Sequence, residues 1–74
     1  MKEETYKIDT AFIKLDSLLK LANIAESGGH AKHLIKNEFV LLNNQVILLR
    51  GKKIYPGDIV TVLEQNVNIR VEKN

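Results

Sequence analysis

Leu15, Leu18, Leu19 and Ala22 recur at the i, i+3, i+4, i+7 spacing that lines one side of an α-helix, and Asp16, Ser17 and Lys20 fall on the other side. This predicts a helix over about 15–22, with Asp16 and Lys20 four apart in the order that favours an ion pair, at about 0.2–0.5 kcal/mol. A second apolar cluster, Ala31, Leu34 and Ile35, faces away from Gly29, Lys32, His33 and Lys36 when residues are stepped by about 100°. It predicts an amphipathic helix over about 29–37 whose outer face is basic, with Ser27 placed to cap its first turn. Beyond it the period shortens. Residues 39–42 and 45–49 are apolar runs around Asn43-Asn44, a hairpin whose turn residues tolerate positive φ. Tyr55-Pro56-Gly57-Asp58 has Pro and Gly where a type II turn needs them. A strand is expected over 59–63, and Val67, Ile69 and Val71 alternate with Asn68, Arg70 and Glu72 as in a half-exposed strand. A short strand over 5–8 opens the series. The order predicts an α+β fold, two short antiparallel helices packed on one face of a small, mostly antiparallel sheet.

Composition narrows this. Seventy-four residues make a single domain, 1–74, and a chain this short buries only about 60% of its unfolded surface. Cysteine is absent, so neither disulfides nor thiolate–metal bonds can add stability. Met1-Lys2-Glu3-Glu4-Thr5 carries no apolar segment, so no signal peptide is expected. No apolar run approaches about 18 residues, so no membrane span is expected either. The expected location is the cytoplasm. The net charge is only +2, but residues 30–53 hold Lys32, Lys36, Arg50, Lys52 and Lys53 against one acid, Glu38, a local +4 on a chain whose remainder sums to −2. Such a cluster fits an anionic partner or, equally, a solvated lysine-rich face.

Catalytic chemistry finds no support. The chain lacks Gly-x-Ser-x-Gly, His-Glu-x-x-His and Gly-Lys-Ser/Thr, and no nucleophile, base and orienting group coincide; no enzyme is expected. His30 and His33 diverge by about 60° on a helical wheel. Only Glu26 and Glu38 lie near them, whereas zinc takes three or four ligands, so neither a metal nor a cofactor is expected. Gly28-Gly29 reads two ways: glycines before a helix let an anion approach free N–H groups, or they permit a tight turn between helices. Phe12 and Phe39 flank apolar segments and are expected in the core; Tyr55, before Pro-Gly-Asp, reads as a partly exposed stacking group or, more simply, as packing in its turn. A basic face without an aromatic platform suits phosphates, sugars and backbone shape in structured RNA better than stacked single strands.

The middle of the chain resembles the RNA-binding domain named for small-subunit ribosomal protein S-four, the αL motif. Lys14-Leu15-Asp16 and Leu19 match its opening, Ser27, Ala31, Leu34 and Ile35 its second helix, Val40-Leu41-Leu42-Asn43-Asn44 its hairpin, and Pro56-Gly57-Asp58-Ile59 its close. The register holds without a gap from Lys14 to Val60. Gly28 stands where the family has arginine, Glu38 where it has a helix-ending glycine, Asn44 where it has the turn glycine, and Arg50-Gly51 where many members have Pro-Ser. With Glu38 in that place, Asn37 is expected to take the left-handed position. Ser-Gly-Gly, Arg-Gly-Lys-Lys and the extra terminal segments resemble the small stand-alone bacterial YaaA-type members. The resemblance implies an αL core over about 14–63, flanked by strands at 5–8 and 67–71. It implies binding to structured RNA, rRNA or tRNA-like, and so to the ribosome; separately, a monomer is expected. By position it implies contacts from Lys14, Ser27, Lys32, His33, Lys36 and Lys53; Gly28 and Gly29 are candidates through their backbone, and Arg50 and Lys52 through charge. The alternatives are a module docking an acidic protein and a DNA-binding accessory protein.

Overall fold

The computed structural model describes residues 1–74. In chain order the elements are β1 (Lys2–Ile8), β2 (Ile13–Lys14), α1 (Leu15–Leu21), α2 (Gly28–Lys36), β3 (Val40–Leu42), β4 (Gln45–Val46), β5 (Lys53–Ile54), β6 (Ile59–Val62), a 3-10 turn (Leu63–Gln65) and β7 (Val67–Lys73). Five strands form one sheet in the order β1-β7-β6-β3-β4, and β2 and β5 form a separate pair. Only β1–β7 is parallel, running from Lys2 opposite Val67 to Ile8 opposite Lys73. The α+β architecture is the expected one, with β1 longer than its composition suggested.

The helical stripes meet the sheet as their spacing requires. Leu15, Leu18 and Leu19 from α1 and Ala31, Leu34 and Ile35 from α2 are buried against Val40, Val60, Val62, Val67, Ile69 and Val71. Alternation sends Asn68, Arg70 and Glu72 to the opposite face of β7. Ser27 caps α2 by accepting the His30 N–H at 3.1 Å, and the imidazole of His30 returns the contact, its Nδ1 accepting from the Glu26 N–H at 3.1 Å.

Both helices end in the same way. After α1, the Asn23 N–H donates to Lys20 O and Ile24 N–H to Leu19 O; after α2, Glu38 N–H donates to Ile35 O and Phe39 N–H to Leu34 O. These paired bonds are the Schellman arrangement, which requires the residue after the C-cap to be left-handed. That residue is Asn23 at φ 61 and Glu38 at φ 65. The expectation for Asn37 is therefore corrected. Asn37 is the C-cap at φ −93, and its side-chain Nδ2 donates to His33 O at 2.8 Å.

The turns follow their chemistry. Asn43 and Asn44 both have positive φ, and Gly57 lies at φ 98 in the expected turn, where Asp58 N–H donates to Tyr55 O at 3.0 Å. Asn43 Oδ1 accepts from Ile59 N–H and its Nδ2 donates to Asp58 Oδ1, which ties the two turns together.

Four local expectations fail. The second hairpin strand stops at Val46; Ile47 N–H still reaches Val40 O at 3.1 Å, but Leu48 and Leu49 leave the sheet and stand 60% and 66% exposed. Residue 63 turns into the 3-10 segment instead of extending β6. Phe12 is outside the core and lies against Tyr55, ring centroids 5.9 Å apart. Asp16 forms no ion pair with Lys20; its Oδ1 accepts the Ser17 N–H at 2.8 Å, and the one ion pair in the molecule is Lys2–Glu4.

Candidate nucleic-acid interface

The loop after β4 owes its shape to α1. A helix starts with N–H groups that have no partner in the helix itself. In α1 two of them are taken by this loop: Leu15 N–H donates to Lys52 O at 2.9 Å and Asp16 N–H to Arg50 O at 3.0 Å. Lys52 N–H closes the loop on Leu49 O at 3.1 Å. The β2–β5 pair then carries the chain back, with Lys14 directly opposite Lys53. The backbone of Leu49–Lys53 is thereby fixed before any ligand arrives.

Fixing the loop there opens a groove between it and α2, of about 890 Å³. Lys32 and Lys36 stand one turn apart on the helical wall, and Arg50, Lys52 and Lys53 line the loop wall. None of these five cations is within ion-pairing distance of a carboxylate, and no acid lines the groove. Lysines facing each other across a strand pair, as Lys14 and Lys53 do, repel, so this end of the molecule holds positive charge that folding does not neutralise. Lys53 is oriented by an aromatic face, its Nζ 4.9 Å from the centroid of Phe12. The groove floor is apolar, formed by Ile35, Leu48, Leu49 and Tyr55.

The candidates from sequence thus divide. Lys32, Lys36, Arg50, Lys52 and Lys53 are brought together. Lys14 adjoins them only through its pairing with Lys53. Ser27, Gly28 and Gly29 lie at the start of α2, outside the groove, and the Ser27 hydroxyl is committed to the helix cap. His33 is exposed but turned to the helix end, its Nδ1 3.2 Å from Asn37 Nδ2. Neither reading of the Gly-Gly pair finds a conformational need. Gly28 and Gly29 are the first two helical residues and neither has positive φ. A Cβ at Gly28 would meet nothing within 4 Å, and one at Gly29 only Ser27 Oγ at 3.8 Å. Sequence reasoning missed Phe12 and the two leucines, and preferred turn packing for Tyr55, which the structure leaves 48% exposed in the groove lining. No sequence signal marked the leucines, which continue an apolar run; only the register, with Gln45 paired to Leu42 and Val46 to Leu41, shows that the short β3 leaves Leu48 and Leu49 no partner strand.

Two helices on a mostly antiparallel sheet, with a basic loop anchored beside the second helix, define an S4-type domain. The family model for the S4 domain matches residues 6–71, and the chain belongs to that family. Among curated proteins it is similar to one named "Probable ribosome maturation protein RlbA" of Bacillus subtilis (strain 168), 44% identical over 55 residues that cover 74% of this chain and 78% of the relative. No helix is long and apolar enough to cross a membrane.

Proposed function

We propose that this protein is a non-catalytic RNA-binding protein that acts on ribosomal RNA or the ribosome, with the groove between α2 and the Arg50–Lys53 loop as its contact surface. One observation carries the reading: five cations without carboxylate partners converge on one groove that no acid lines. Surface lysines that served solubility alone would be interspersed with acids. Membership of the S4 family and a relative named for ribosome maturation favour RNA over other polyanions. Lys32 and Lys36 supply charge along one phosphate run, and Arg50, Lys52 and Lys53 clamp a second. Arg50 adds a planar fork that can meet a phosphate through two hydrogen bonds. The loop's backbone is already anchored to α1, so binding orders side chains and leaves the main chain unchanged.

The test is the salt dependence of binding to a structured rRNA fragment. Neutralising about five phosphates gives a slope of log K against log salt near −3.5 to −4.5. The Lys32→Ala/Lys36→Ala/Lys53→Ala variant should bind more weakly and lose about two to three units of slope. A flat salt dependence, or unchanged affinity in that variant, would refute the mechanism.

A further inference from the structure

The groove offers more than charge, and its apolar floor is not accounted for by phosphate binding. Leu48 and Leu49 are adjacent, 60% and 66% exposed, and Tyr55 beside them is 48% exposed. Single exposed leucines need no explanation, but a contiguous apolar surface inside a concave site does. The backbone that carries these side chains is held in place. The leucines precede a backbone held by α1, with Lys52 N–H bonded to Leu49 O. Tyr55 is backed by Phe12, the rings tilted by 49°, and its N–H donates to Asp58 Oδ2 at 2.9 Å. The fold therefore presents an aromatic ring and two aliphatic side chains to solvent, on an anchored backbone and in the same groove lining as five cations.

Building on the RNA-binding reading, we infer that this floor is a seat for unpaired nucleobases, and that the protein selects RNA in which bulged or looped nucleotides adjoin a helix. A fully paired helix presents phosphates and sugars on its outside and keeps its base faces stacked within. It can satisfy the cations but not the floor. An unpaired nucleotide satisfies both, its phosphate meeting Lys36 or Arg50 while its base covers Leu48, Leu49 and the Tyr55 ring. Unstacked bases are recognised on aromatic side chains in this way, and apolar side chains such as leucine also pack against opened base steps. The groove volume of about 890 Å³ falls within the ~300–1,000 Å³ of sites that enclose small organic ligands, so a base with its sugar fits. Charge complementarity chooses this occupant over an apolar peptide, since five cations and no acid surround the floor.

The experiment compares two RNA hairpins at one salt concentration, identical except that one carries a small bulge in its stem. The wild-type protein should prefer the bulged hairpin by about tenfold or more, the scale of one base–aromatic stack. Leu48→Ser/Leu49→Ser and, separately, Tyr55→Ala should lose the preference while keeping the salt slope, and Tyr55→Phe should keep both. Because these side chains are exposed, thermal unfolding of each variant should match the wild type, which separates a lost seat from a lost fold. Equal wild-type affinity for the two hairpins overturns the inference and leaves the proposed function standing; salt-insensitive or undetectable binding to both overturns the function as well. If the double serine variant keeps its preference for the bulge but loses binding to an acidic leucine-rich peptide, the leucines belong to a protein interface and the inference is wrong.

Discussion

Glu38 holds a conformation that suits it poorly. A left-handed backbone costs a residue with a Cβ about 1–2 kcal/mol, and Glu38 sits at φ 65 because the Schellman bonds closing α2 demand it. Glu38→Gly should therefore stabilise the protein by about 1 kcal/mol, seen as a higher urea midpoint at unchanged m. Gly28 is the opposite case, a glycine where the backbone asks for none. Gly28→Ala should raise stability by about 0.4–1 kcal/mol. If stability rises while RNA affinity is unchanged, the start of α2 has no part in binding. Ser27→Ala should lower stability by about 1 kcal/mol, since it leaves the His30 N–H without its acceptor.

At the scale of elements, the helices and the β6–β7 half of the sheet could be read from periodicity, because each buries one regular stripe. Ser27, Asn43-Asn44 and Pro56-Gly57 also announced their caps and turns, since each sets a dihedral or supplies an acceptor locally. What could not be read was decided by contacts distant in sequence. The loop's hydrogen bonds go to α1, more than thirty positions earlier, and no local pattern records that. The charge of the groove was legible as a basic cluster; its floor was not, because Leu48 and Leu49 look like strand residues until the length of β3 is known. Phe12 was misplaced for the same reason, its neighbour being Tyr55 and not the core. Phe12→Ala should thus change stability little for an aromatic deletion. It should weaken RNA binding by freeing Lys53 and the Tyr55 ring. Parallel urea melts and RNA titrations of this variant check both, and a loss of stability on the core scale of about 3–5 kcal/mol would show that Phe12 is structural after all.

At the scale of the molecule, the αL-like middle does not stand alone. β1 pairs along its whole length with β7 and places Ile8 in the common core, with Tyr6 packed beside it. Removing residues 1–8 would strip the outer edge of β7 and uncover part of Val67, Ile69 and Val71. The truncated protein should lose its cooperative thermal transition or aggregate, whereas removal of Asn74 alone should be mild, since it contributes one backbone bond to Ile8 and one side-chain bond to Asp9. Circular dichroism melts and light scattering of the two truncations distinguish these outcomes.

The β1–β7 pairing also sets the order in which the protein can be made. Glu3 and Asn68 are neighbours in space but 65 positions apart in the chain. Closing so large a loop must wait until both ends exist, and contacts of long sequence separation slow folding. During synthesis the first strand emerges with nothing to pair with, while the α1–α2 hairpin, built from nearby residues, can form early. The sheet can be completed only when residues 67–73 have left the exit tunnel. A stalled chain whose residues 63–74 are still held inside the tunnel should therefore remain open to proteases, and the same chain should become resistant on release.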